Sequence, residues 1–245
     1  MAIPSLPRSR NNIGSTPRNR NSVGCNWERL ASGIRVNEKI QEDMHRLETM
    51  LKRVVDKDAR FLEKLVHTED LQVLDLACGA CDEAETLTQF LASLKAPGSA
   101  GSLKLTGMDI RAREIADAAA RFRKEANGNN QTSIDYEFLN GDARKLDTHQ
   151  ELPGKFDVIF MRHQNLWNGQ RTWEEIYHKA LEKLSPDGRL IITSYFDKEH
   201  EQALAAIEGQ GGETIISARN EVSRKLQTRG KSVDRHVAVL KRKEI

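Results

Sequence analysis

Val73-Leu74-Asp75-Leu76-Ala77-Cys78-Gly79-Ala80-Cys81-Asp82-Glu83 is the stretch whose reading decides the fold. A short apolar run ends in a small-residue turn and opens into a helical pattern. A buried strand feeding a glycine turn and a helix is how open α/β sheets cradle nucleotide-like ligands. The turn departs from a diphosphate loop, which needs three glycines so that bare backbone N–H groups can approach an anion. Only Gly79 is glycine here, Cys81 and Glu83 hold later positions, and Asp75, Asp82 and Glu83 supply carboxylates. Such a field repels a diphosphate and attracts a cation.

Downstream, strand patterns fall at 71–77, 103–109, 134–139, 156–162, 189–195, 213–218 and 233–241. Helical patterns lie at 82–95, 111–126, 170–184 and 198–209. This alternation predicts a mainly parallel sheet with helices on both faces. The connection 219–232 carries no helical pattern, so strands six and seven are expected as an antiparallel pair at one edge. Upstream, Trp27 to Val66 reads as helical. Ile40, Met44, Leu47, Leu51 and Val54 fall on one helical face, with a polar Asp56-Lys57-Asp58 interruption before Phe61, Leu62 and Leu65. Residues 1–26 are rich in Ser, Pro, Asn, Gly and Arg and are expected to be disordered. The expected division is a basic arm at 1–26, a helical segment at 27–68 that can serve as a substrate lid, and one domain at 69–245.

A chain of 245 residues with 38% apolar and 30% charged residues reads as one globular domain plus tails. No apolar run approaches the ~20 residues of a membrane span. Three cysteines argue against a disulfide scaffold and suit a reducing compartment, so a cytoplasmic location is expected. The net charge of +2 divides into +4 over residues 1–27, −8 over 28–218 and +6 over 219–245. Basic ends on an acidic middle fit either an anionic partner such as nucleic acid or solvated tails. Oligomeric state is not legible.

Three strand ends carry a resemblance: Asp75-Leu76-Ala77-Cys78-Gly79, Gly107-Met108-Asp109-Ile110 and Asn140-Gly141-Asp142-Ala143. Over roughly residues 70–242 the chain resembles a class I S-adenosylmethionine-dependent methyltransferase. The resemblance implies a seven-stranded, mainly parallel, doubly wound α/β sheet with an antiparallel C-terminal hairpin. It also implies S-adenosylmethionine, whose sulfonium suits the acidic turn better than NAD does. On the same ground Asp75, Ala77 and Gly79 would face the methionine part of the cofactor, Asp109 and Ile110 the ribose side, and Gly141, Asp142 and Ala143 the adenine. Arg162, ending the fourth strand, is counted with them. Asp109 can also cap the helix that starts near Arg111. Cys81 replaces a glycine usual in the family, so Ala80 and Cys81 are expected in backbone angles open to residues with a Cβ.

In this family the loop after the fourth strand, Arg162-His163-Gln164-Asn165-Leu166-Trp167-Asn168, faces the transferable methyl group. It lacks the Asn/Asp-Pro-Pro-aromatic run of members that modify base amino groups. His163 is the candidate general base, against the alternative of a purely structural histidine. Asn165, Trp167 and Tyr195 are candidate substrate contacts. Cys78 and Cys81 also form a CxxC pair, readable as a redox dithiol; structural zinc would need two further ligands, so no metal is expected. A small-molecule acceptor is favoured because no substrate domain is inserted between strands. The alternatives are RNA engaged by the basic ends, a non-catalytic S-adenosylmethionine-binding protein, and a nicotinamide oxidoreductase.

Overall fold

The computed structural model describes residues 24–95, 101–122 and 133–244. The expected arm at 1–26 therefore lies outside the described residues as far as residue 23, and its last three residues open a helix. The chain divides after Lys39 into two units, and the site belongs to the second, Ile40–Ile245. Among the described residues, no helix is long and apolar enough to cross a membrane.

Helix α1 (Gly24–Val55) and helix α2 (Ala59–His67) meet at the polar interruption seen in the sequence. Asp58 makes the break useful, because its side chain accepts from the Phe61 N–H and caps α2. The same carboxylate receives Arg189 from the fifth strand in a buried pair at 2.7 Å. The apolar face of α1 is buried at Leu47, Leu51 and Val54, whereas Ile40 at its upstream end is 37% exposed.

The sheet contains β1 (Asp70–Leu76), β2 (Ser102–Asp109), β3 (Ser133–Asn140), β4 (Phe156–Arg162), β5 (Leu184–Ser194), β6 (Gly212–Arg219) and β7 (His236–Arg242). Helices α3 (Ala84–Ser93), α4 (Ala112–Phe122), α5 (Gln170–Lys183) and α6 (Asp197–Gly209) connect them. The order is β3-β2-β1-β4-β5-β7-β6, with β1 to β5 parallel and β7 antiparallel to both β5 and β6. The expected seven-stranded sheet with its closing hairpin is thus present, with β7 slotted inside β6.

Burial follows position in the sheet. Central strands are covered on both faces, so β4 is buried through Met161 and is apolar without a break from Val158 to Met161. Edge strand β6 alternates between half-buried and exposed positions. One core packs α1, α2, α3 and α4 on one face through residues such as Leu51, Phe61, Phe90 and Ile115. A second packs α5 and α6 on the other through Tyr177, Ala180 and Ile207.

Candidate cofactor and substrate site

Strand β1 lies between β2 and β4. After β1 the chain passes to α3 on one face, and after β4 it passes to α5 on the other. The two connections diverge and leave a crevice beyond the strand ends, the place where doubly wound sheets bind ligands. A cavity of about 460 Å³ opens there, with Ala77, Cys78, Arg162, His163 and Tyr195 among its lining residues. Asp43 and Met44 of α1 and Arg224 and Val233 of the β6–β7 connection also contribute to its wall.

The turn after β1 sets ligand access on one side. Ala77, Gly79 and Cys81 all sit at left-handed φ, at +58°, +60° and +50°. Cys81 therefore does not take an angle comfortable for a residue with a Cβ, contrary to the expectation from its side chain; the alternating left-handed path is kept although two of its residues are not glycine. A Cβ on Gly79 would stand 2.5 Å from Arg111 Nη2. Beneath the turn, Asp75 is fully buried, and neither carboxylate oxygen has a hydrogen-bond partner. Burial, with Glu83 adding to it, raises the Asp75 pKa well above the ordinary carboxylate value.

Asp109 ends β2 and is tied to the same turn. Its Oδ2 accepts from the Gly79 N–H at 2.8 Å, and its Oδ1 accepts from the Arg111 N–H at 2.8 Å and Nε at 3.0 Å. Burial alone would raise its pKa, but these bonds together outweigh burial and lower it. The bond to the Arg111 N–H closes a turn just before α4, whose first residue is Ala112, and is not a cap on that helix. Ile110 beside it is 69% exposed, an apolar side chain facing solvent at the strand ends. The Gly141 N–H donates to the Asp109 carbonyl at 3.1 Å, which holds the β3 turn against β2. Asp142 caps the following turn through the Arg144 N–H and pairs with its guanidinium at 2.6 Å, and Ala143 is buried.

The other half of the crevice centres on a residue with no sequence signal, Asp234. It lies in the β6–β7 connection, is 2% exposed, and has a left-handed φ of +48°. Arg162 donates to both its oxygens, at 2.9 and 2.7 Å, and Thr193 donates at 2.8 Å. His163 Nε2 lies 2.9 Å from its Oδ1. Burial alone would raise the Asp234 pKa; Arg162 and His163 outweigh it and hold this carboxylate well below the ordinary range. Arg162 also reaches Glu83 at 3.4 Å, so its charge is met by two carboxylates. Burial lowers the pKa of His163, and Asp234 opposes that only in part. The imidazole stacks on Tyr195 at 3.6 Å, and Lys231 sits 4.1 Å over the other face of the phenol ring.

The candidates thus divide into groups. Ala77, Arg162, His163 and Tyr195 share the cavity, while Asp75 is buried under the turn and Asp109 is bonded to the turn's Gly79 N–H. Gly141, Asp142 and Ala143 lie along the adjoining strand end. Asn165 and Trp167 stand outside: the Asn165 carbonyl accepts from Trp173, and half-exposed Trp167 bonds Gln202 and packs on Phe196 at 5.0 Å. The carboxylates of the turn also prove unequal. Arg121 pairs with Asp82 and Arg162 with Glu83, which leaves Asp75 as the turn's unpartnered acid.

A family model described as a methyltransferase domain matches residues 67–233. No curated protein matches the chain. Among solved structures, a S-adenosylmethionine-dependent methyltransferase from Clostridium acetobutylicum is similar with a TM-score of 0.56 at 11% identity, over 89% of this chain and 99% of that one. A SAM-dependent methyltransferase from Methanosarcina mazei gives 0.54 at 17% identity, over 73% and 96%. Magnesium protoporphyrin IX methyltransferase from Synechocystis, solved with bound S-adenosylmethionine, gives 0.51 at 17% identity, over 83% and 84%. At these identities the structures speak for the fold, while the family match spans more than half the sequence. The chain belongs to the methyltransferase-domain family and is a class I S-adenosylmethionine-dependent methyltransferase.

Proposed function

We propose that the 75–83 turn and the ends of β2 and β3 hold S-adenosylmethionine, and that the cavity beside them receives a small-molecule acceptor. The observation that carries the cofactor placement is Asp75. A buried carboxylate with no partner costs roughly 1–3 kcal/mol, and a ligand ammonium at the turn would relieve that cost. Ala77 and Gly79 would line the methionine part, Asp109 the ribose hydroxyls and Ile110 the flat side of the nucleoside. Gly141, Asp142 and Ala143 would border the adenine. For Asp109 to take the ribose, the half-exposed Arg111 side chain must give way. Arg162 acts at one remove in this reading, since its guanidinium is spent on Asp234 and Glu83.

When bound, the cofactor supplies an electrophilic methyl group on a sulfonium. The chain's part is alignment and proton handling. His163 Nδ1 has no hydrogen bond among the described residues and belongs to a cavity-lining ring. It is the candidate to take a proton from an acceptor hydroxyl or amine in the tautomer whose Nε2–H faces Asp234 Oδ1 at 2.9 Å; the other tautomer accepts the Asp234 N–H at Nε2, 3.1 Å away, and carries its proton on Nδ1. Tyr195 fixes the ring plane. A base in this role gives a rate that falls on the acid side and a His163→Gln variant without that limb; a variant with the same profile would return His163 to a structural role.

The decisive experiment is calorimetric titration of S-adenosylhomocysteine and NADH. Binding of the first alone supports the placement, and binding of NADH alone would overturn it. RNA is the second reading for the acceptor. It is favoured by Lys225, Arg229 and Lys231 of the β6–β7 connection, which make no ion pair among the described residues. Methyl-labelled cofactor supplied with cell extract divided into RNA, protein and metabolite fractions separates the two: label in metabolites supports the small molecule, and label in RNA overturns it. A cytoplasmic setting is part of the same proposal.

A further inference from the structure

We propose that Cys78 and Cys81 form a reversible thiol–disulfide couple built into the cofactor turn, and that closing the disulfide strengthens binding of S-adenosyl compounds. The inference rests on the reading of this turn as the cofactor site. The two sulfurs are in disulfide contact across the four-residue turn. The bridge spans the same residues as the turn's backbone hydrogen bond, from the Cys81 N–H to the Cys78 carbonyl at 2.9 Å. Between and beside the cysteines the chain holds Ala77, Gly79 and Cys81 at left-handed φ. A left-handed residue with a Cβ persists only where its surroundings fix it. At Cys81 the covalent tie to Cys78 adds to three hydrogen bonds, from its N–H to the Cys78 carbonyl and to its own carbonyl from the Ala84 N–H at 3.2 Å and Arg121 at 3.0 Å; reduction removes the tie and leaves those bonds.

The two thiols are also unequally reachable, which sets the order in which they react. Cys78 lines the cavity, whereas Cys81 is fully buried behind it, close to Gly107, where an added Cβ would meet its sulfur at 2.7 Å. An outside disulfide therefore meets Cys78 first and does so through that cavity, beside the turn assigned to the cofactor. With glutathione disulfide as oxidant, the Cys78 thiolate attacks one sulfur and releases one glutathione thiolate. The Cys81 thiolate then attacks the Cys78 sulfur of the mixed disulfide and releases the second. Two electrons pass from the protein dithiol to glutathione disulfide, and the two protons go to the released thiols.

The test uses the full chain carrying Cys25→Ser, which leaves Cys78 and Cys81 as its two thiols. The protein is equilibrated in graded mixtures of reduced and oxidised glutathione with EDTA present, then acid-quenched, alkylated and mapped by mass. S-adenosylhomocysteine affinity is measured for each form by titration. The expected result is an intramolecular Cys78–Cys81 disulfide whose protein binds S-adenosylhomocysteine about tenfold more tightly than the dithiol. By linkage, saturating S-adenosylhomocysteine then shifts the oxidation equilibrium by the same factor. Full alkylation of both cysteines at every glutathione ratio, or equal affinity of the two forms, overturns the couple as a switch and leaves the cofactor placement intact. Absence of binding by both forms overturns the placement and the switch together.

Discussion

The crevice has two sides, and each is built around a buried acid. Asp75, under the turn after β1, keeps both oxygens unpartnered; Asp234, facing it from the β6–β7 connection, is saturated by Arg162, Thr193 and His163. Desolvation acts on both carboxylates, but their partners send them in opposite directions, the first toward the neutral acid and the second toward a fixed anion. An acid with open hydrogen-bonding capacity is a place for a ligand. An acid with none left is a fastening, here joining the β6–β7 connection to the ends of β4 and β5. Charge alone does not distinguish the two; the partner count does.

The largest effect should come from the fastening. Asp234→Ala leaves Arg162 buried with only Glu83 at 3.4 Å, and removing one partner of such a cluster costs about 3–5 kcal/mol. Urea unfolding should show that loss, and a change under ~1 kcal/mol would mean that the connection is held elsewhere. Next comes Asp109→Ala, expected to weaken S-adenosylhomocysteine binding by about 1.5–3 kcal/mol, the scale of a hydrogen bond to a charged group. Unchanged affinity in the folded variant would remove Asp109 from the site.

Asp75→Asn sharpens the contrast, because it should weaken the same ligand while sparing stability. The sign follows from the raised pKa. A carboxyl raised in the folded state contributes stability that is complete below its unfolded value of about 4 and is lost as pH rises through the folded value. Wild type should therefore lose ground to Asp75→Asn between acid and neutral pH, as thermal melting at several pH values can record. Parallel stability profiles for the two proteins would contradict the buried, unpartnered acid. The smallest effect is expected at Arg111, whose pairing with Asp109 is 56% exposed on the arginine side and so worth about 0–1 kcal/mol. Arg111→Ala should melt within a degree or two of wild type and bind S-adenosylhomocysteine at least as tightly; weaker binding would make Arg111 a ligand contact instead of an occupant of the ribose position.

The same contrast explains what the sequence revealed. Asp75, Gly79, Asp109 and Asp142 each sit at the end of an apolar run and before a turn, so local pattern places them on one edge of the sheet. Asp234 follows a connection without periodicity, and its partners Arg162 and Thr193 lie 72 and 41 residues earlier. Nothing local marks such a residue. Asp58 is similar: the polar break between α1 and α2 was visible, whereas its pairing with Arg189, 131 residues away, was not. Cys81 failed for another reason. Its side chain argues for ordinary backbone angles, and the turn imposes +50° regardless. Local preference lost to the path the loop must follow.

The β6–β7 connection crosses the crevice on anchors of different kinds. Asp234 is buried, while Arg224 grips Asp43 of α1 at 2.8 Å through a guanidinium that is 32% exposed. Ionic strength distinguishes them, since dissolved ions screen the outer pair and leave the inner one almost untouched. Added salt thus loosens the connection from its outer end while its root stays fixed, so the residence time of anything held beneath it becomes a function of the surrounding electrolyte. Amide exchange around residue 224 should quicken with salt while that of residue 234 holds steady.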